Sequence, residues 1–151
     1  MQFDHNYWMN QALLLAKSVK SEVPVGAIIV CNNQIISQAV NKMEELNDPT
    51  AHAEMLVIKD AAKKINNWRL DSTILYVTLE PCSMCAGAII NSRVKKLVFG
   101  AYDLSCGACG SVINIFNEFG KEKNIHVIGG ICEEESSRLL KDFFSKQRIK
   151  A

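Results

Sequence analysis

Residues 73–90, TILYVTLEPCSMCAGAII, decide how this chain is read. The β-branched run TILYVTL predicts a strand over 73–79. It passes without a loop into EPCSMC, where Pro81 suits the start of a helix. A buried strand feeding straight into a helix is a joint of α/β proteins, and the remaining segments can be read outward from it.

Upstream, Asp4 predicts the N-cap of a helix reaching about Lys20, with apolar residues at Tyr7, Trp8, Ala12, Leu15 and Val19. VPVGAIIVC (23–31) predicts a buried strand, Asn32-Asn33 a tight turn, and QIISQAV (34–40) the antiparallel partner. A polar loop runs from Asn41 to Pro49, and Thr50 predicts the N-cap of a helix to about Lys64. Downstream, VKKLVFG (94–100) predicts a strand, and the glycine-bearing loop CGACG (106–110) precedes a short helix SVINIFNEF (111–119). IHVIGG (125–130) predicts a last strand and EEESSRLLKDFFSKQRIK (133–150) a last helix. A hairpin followed by alternating helices and strands gives an α/β sheet covered on both faces.

The length of 151 residues suits a single domain, 1–151, with one sizeable core. With 17 basic and 16 acidic residues the formal net charge is +1, so any nucleic-acid partner has to be held by a local patch and a shaped pocket. No apolar run is long enough to span a bilayer and the N-terminus lacks the pattern of a signal peptide, which predicts a cytoplasmic protein. In that setting six cysteines point to metal binding or chemistry before disulfides. Cys31 and Cys132, in apolar surroundings, read as buried hydrophobes.

Two short motifs carry chemistry. His52-x-Glu54 opens one expected helix, and Pro81-Cys82-x-x-Cys85 opens another. Cysteines three apart share a helix face, and thiolates are favoured at the positive end of a helix. With the His52 imidazole they form a Cys, Cys and His set suited to zinc. Three protein ligands leave a position for water, as catalytic zinc sites do. Two thiolates offset the charge of the ion, so a carboxylate base is needed beside the water. Glu54, which diverges from His52 on the helix, suits that role better than ligation. Each motif alone is weak, and His52 alone would read as a structural histidine. Their joint order, H-x-E then P-C-x-x-C, is the signature of the zinc deaminases of nucleobases.

The chain resembles the bacterial tRNA-specific adenosine deaminases of the cytidine-deaminase-like superfamily. The likeness runs through EVPVGA, DPTAHAE, TLEPCSMCAGA, SRV, VFGAYD and LLKDFF, nearly the whole chain. It implies a three-layer α/β/α fold with a mixed five-stranded sheet, one zinc per chain on His52, Cys82 and Cys85, and Glu54 as proton shuttle. It implies that Asn41 hydrogen-bonds the target base and that Asp103 lies near the neighbouring nucleotide. It also implies a homodimer that binds the anticodon stem-loop of a tRNA, usually an arginine tRNA, and converts its wobble adenosine to inosine.

The loop AYDLSCGACGS departs from the family pattern, with Leu104 and Ser105 where a basic residue is common, and it holds a second C-x-x-C, Cys106 and Cys109. No further histidine or cysteine pair stands beside these two, so they read as small residues of a tight loop rather than as a second metal site. His5 and His126 read as structural or surface residues, and Trp8 and Trp68 as core or interface anchors. Arg148 and Lys150 of the tail are candidates for tRNA phosphate. Two other functions stay open at this point: a deaminase of free bases or nucleosides, of guanine or cytosine type, and a zinc-stabilised binding module without catalysis.

Overall fold

The computed structural model describes residues 2–119 and 123–150, with the side chains of residues 149 and 150 excepted. Its elements run α1 (His5–Lys17), β1 (Gly26–Cys31), β2 (Gln34–Val40), α2 (Met43–Leu46), α3 (Ala53–Lys64), β3 (Ile74–Leu79), α4 (Ser83–Ser92), β4 (Lys96–Ala101), α5 (Ile115–Phe119), β5 (His126–Ile128) and α6 (Glu133–Lys150). The five-stranded sheet has the order β2-β1-β3-β4-β5. β1 is antiparallel to β2 and β3, whereas β3, β4 and β5 are parallel. The mixed sheet expected from the sequence is the one observed.

Alternation along the strands makes the three layers. Ala27, Ile29, Leu75, Val77, Leu97 and Phe99 face one cluster with Val57 and Ala61 of α3, Ala86 and Ile89 of α4, and Phe116 of α5. Ile28, Val30, Tyr76 and Val98 face the other, with Trp8, Met9, Ala12 and Leu13 of α1 and Leu139 of α6. β1, β3 and β4 are covered on both faces, so their sequences read as nearly continuous apolar runs.

Several boundaries differ from expectation, each for a local reason. Asp4 does cap α1, its Oδ1 accepting from Tyr7 N–H at 2.8 Å, but the helix ends at Lys17 with Ser18 as C-cap. The buried face is Trp8, Met9, Ala12, Leu13 and Ala16, which leaves Tyr7 exposed. Asn32 and Asn33 both have positive φ, 50° and 62°, as a tight hairpin turn requires. Thr50 is not the cap of α3. It closes a turn on Asp48, whose Oδ1 accepts from Thr50 N–H and Oγ–H, and His52 occupies the N-cap position. The polar loop after Asn41 contains α2, a turn of helix the sequence did not announce. The expected helix over 111–119 shrinks to α5, and the strand over 125–130 to β5. Trp8 is core, but Trp68 is 53% exposed, with the Arg69 and Arg93 guanidinium groups over its ring at 4.4 and 5.6 Å. Cys31 and Cys132 are half-buried rather than buried. His5 Nδ1 hydrogen-bonds the Tyr76 hydroxyl at 2.8 Å, and His126 is exposed at the start of β5.

Candidate active site

β3 ends at Leu79 and its parallel neighbour β4 at Ala101, while antiparallel β1 begins beside them. The loops leaving β3 and β4, and those flanking β1 and β2, therefore gather at one edge of the sheet. Ligand sites of α/β sheets form in such crevices outside the carboxyl ends of strands. A cavity of about 960 Å³ lies there.

Two helix starts meet in it. His52 is the N-cap of α3 and Cys82 the N-cap of α4, and neither side chain makes a capping bond. Both are left free to turn toward each other. His52 Nδ1 lies 3.8 Å from Cys82 Sγ and 3.5 Å from Cys85 Sγ, and the three donor atoms fall within 4.8 Å of one another. Two ligands of a tetrahedral zinc, at ordinary zinc–nitrogen and zinc–sulfur lengths, stand about 3.6 Å apart. The donor types and their spacing thus fit zinc. Among the described residues this is the one such cluster, and Cys106 and Cys109 are not part of one.

The two thiols share a proton unequally. The hydrogen bond from Cys85 pulls Cys82 down to about 5, helped by the backbone N–H groups of Cys85 and Met84. The same contact and burial push Cys85 upward. This is the charge a metal cation would neutralise, at the positive ends of two helices.

Glu54 sits one position into α3, lines the cavity and is 4% exposed. Burial pushes its carboxyl up to about 7, against the opposing pull of its own backbone N–H and of His52. Asn41 is buried just after β2. Its Oδ1 accepts from Ala53 N–H at 2.8 Å and its Nδ2 donates to the Val23 carbonyl at 3.1 Å. It thereby satisfies one of the orphan N–H groups that His52 leaves at the head of α3. Asp103 also lines the cavity, but its Oδ1 already accepts from Ser105 N–H, Ser105 Oγ–H and Cys106 N–H. Ser137, Leu140, Lys141, Phe144 and Arg148, spaced along one side of α6, complete the wall. The Lys150 side chain lies outside the described residues.

Two buried acids escaped the sequence reading. The Glu22 carboxylate accepts the N–H groups of Glu44 and Glu45, capping α2 from a distance. Glu80, 1% exposed, accepts from Asp103, Cys109 and Ser111. The only signal for Glu80 was its place between a strand end and Pro81. Nothing local marked Glu22.

The family model described as the cytidine and deoxycytidylate deaminase zinc-binding region matches residues 2–101. A tRNA-specific adenosine deaminase of Bacillus subtilis is 46% identical over 145 residues, covering 95% of this chain and 90% of its own. Its counterpart of that description in Aquifex aeolicus is 49% identical over 145 residues, covering 94% and 95%. A solved structure from a study of A-to-I editing by tRNA:A34 deaminases superposes with a TM-score of 0.85 at 40% identity, covering 90% of this chain and all of that one.

Proposed function

The chain belongs to the cytidine and deoxycytidylate deaminase family, with tRNA-specific adenosine deaminases as its full-length relatives, and from that we propose that it converts the wobble adenosine of a tRNA anticodon to inosine. The observation that carries the reading is the three-ligand cluster of His52, Cys82 and Cys85 with buried Glu54 beside it in one cavity. It is a hydrolytic deaminase: water replaces the C6 amino group of adenine, and ammonia leaves.

His52, Cys82 and Cys85 hold one zinc per chain. Held by them, zinc would supply Lewis acidity toward the attacking water. Glu54 does the proton work: its carboxylate takes a proton from the attacking water and delivers it to N1, then takes the second proton from the new C6 hydroxyl and gives it to the leaving nitrogen, so that ammonia departs and a C6 carbonyl remains. Burial of Glu54 keeps bulk water from competing for these protons. The Asn41 amide holds the head of α3 and has a remaining N–H to offer the base. The loop at Asp103 meets the neighbouring nucleotide. The substrate is an anticodon stem-loop, where a base is splayed out at modest cost, and an arginine tRNA is the expected carrier. Arg148, which lines the cavity from α6, contacts tRNA phosphate. The working unit is a homodimer of a single-domain chain, 1–151, acting in the cytoplasm. Among the described residues no helix is long and apolar enough to cross a membrane.

The test is inosine formation in a stem-loop carrying a wobble adenosine, by the zinc-loaded protein and by Glu54→Ala. We expect inosine from the first and a loss of about 10²–10⁴-fold or more in kcat from the second, with zinc retained. Inosine from neither, with free bases or nucleosides deaminated instead, would replace tRNA as the substrate. Equal activity from both would remove Glu54 from the chemistry.

A further inference from the structure

The loop between β4 and α5 forms one wall of the cavity through Asp103, Leu104, Ser105 and Cys106. Hydrophobic burial does little to hold this stretch. Leu104 is 83% exposed, and Ser105 and Cys106 are exposed as well. Further on, Ala108 reaches the apolar cluster, and the rest of the segment is anchored by polar contacts. The Glu80 Oε1 accepts from Asp103 N–H at 3.0 Å and from Ser111 Oγ–H. Its Oε2 accepts from Cys109 N–H at 3.0 Å and Ser111 N–H at 3.1 Å. One buried side chain thus ties the start of the loop at Asp103 to its second half at Cys109 and Ser111. Gly107 passes so close that a methyl group there would run into the Glu80 carboxylate.

The same acid is tied to the metal-binding turn. Glu80 N–H donates to the Ala101 carbonyl at 2.8 Å, and the Pro81 carbonyl accepts from Ala108 N–H at 2.9 Å. Cys82 follows directly. We propose that Glu80 is a positioning residue for substrate: it holds the 102–111 loop in register with the Cys82 turn, so that the wall meeting the nucleotide beside the target stays fixed relative to the reacting base. This inference rests on the tRNA deaminase reading. It assigns Glu80 neither ligation nor proton transfer. Glu80 is outside the donor cluster, and its oxygens are engaged by four loop donors.

A carboxylate is needed because every partner is a donor. In Glu80→Gln an NH₂ group would face one pair of those donors and leave at least one backbone N–H unpaired. The experiment compares zinc-loaded wild type, Glu80→Gln and Ser111→Ala by zinc content, by hydrogen–deuterium exchange over 102–111, and by steady-state kinetics on the stem-loop. For Glu80→Gln we expect unchanged zinc and exchange in the loop about tenfold faster. KM should rise about tenfold, with kcat changed less than about threefold. Ser111→Ala should move the same readouts in the same direction, less far, and it decides the matter if Glu80→Gln does not fold. Unchanged exchange and KM would overturn the proposal. So would loss of zinc, or a fall in kcat at constant KM. If the wild type makes no inosine, the tRNA reading fails, while the exchange comparison still decides whether Glu80 holds the loop.

Discussion

The amide of Asn41 accepts from α3 with its oxygen and donates to the chain before β1 with its nitrogen, while lying against the same cavity as Glu54. Asn41→Ala would leave Ala53 N–H and the Val23 carbonyl without their partner in a buried place. The expected cost is about 1–3 kcal/mol, read from the denaturant midpoint at unchanged m. Asn41→Asp keeps the acceptor for Ala53 but loses the donor, so it should recover part of that stability. Equal stability of all three proteins would show that the amide serves only the ligand. His52, Glu54, Cys82 and Cys85 were legible as a set because spacing and residue type declare a metal chemistry. Asn41 and Asp103 stood out only through family likeness. Glu22 and Glu80 did not stand out at all, because what defines them is the identity of distant backbone donors.

At the scale of elements, the strands were read well because burial on two faces writes itself as unbroken apolar runs. Helix starts were read less well. Thr50 carries the right side chain for a cap, but Asp48 holds it in a turn, and α3 begins with a histidine that keeps its ring for the cavity. Ser111 likewise resembles a cap for the next helix. Its N–H and hydroxyl both go to Glu80, and α5 starts after Asn114, whose Oδ1 accepts from Asn117 N–H at 3.2 Å. Helix α2 was hidden because its cap, Glu22, is supplied from across a hairpin. Where α6 crosses the sheet, Ser136 lies directly over Gly100, and a methyl at Gly100 would meet the Ser136 hydroxyl and the Thr78 carbonyl. Among the described residues the Ser136 hydroxyl has no hydrogen-bond partner. Ser136→Ala should therefore leave the melting temperature unchanged or raise it, by up to about 1 kcal/mol of stability. Gly100→Ala should lower stability by about 1–3 kcal/mol. A clear loss in Ser136→Ala would mean that the hydroxyl is satisfied in solution.

For the molecule as a whole, the His52, Cys82 and Cys85 cluster joins the heads of α3 and α4, but both apolar clusters close without it. This differs from small zinc domains, in which metal binding supplies the folding free energy. Removing zinc with a chelator should lower the melting temperature while far-ultraviolet circular dichroism at 25 °C stays that of the loaded protein. Unfolding on chelation would show that the clip carries the fold. The sheet order and both layers were legible in outline. The gathering of four separate loops at one edge was not, because it depends on β1 running against β3. One consequence of the α6 wall concerns the newborn chain. His52, Glu54, Cys82 and Cys85 all leave the ribosome before Ser137, Leu140, Phe144 and Arg148. A single domain folds as a unit, and α6 packs Leu139 and Leu140 against the two apolar clusters, so the cavity gains its last wall only when the end of the chain has been translated.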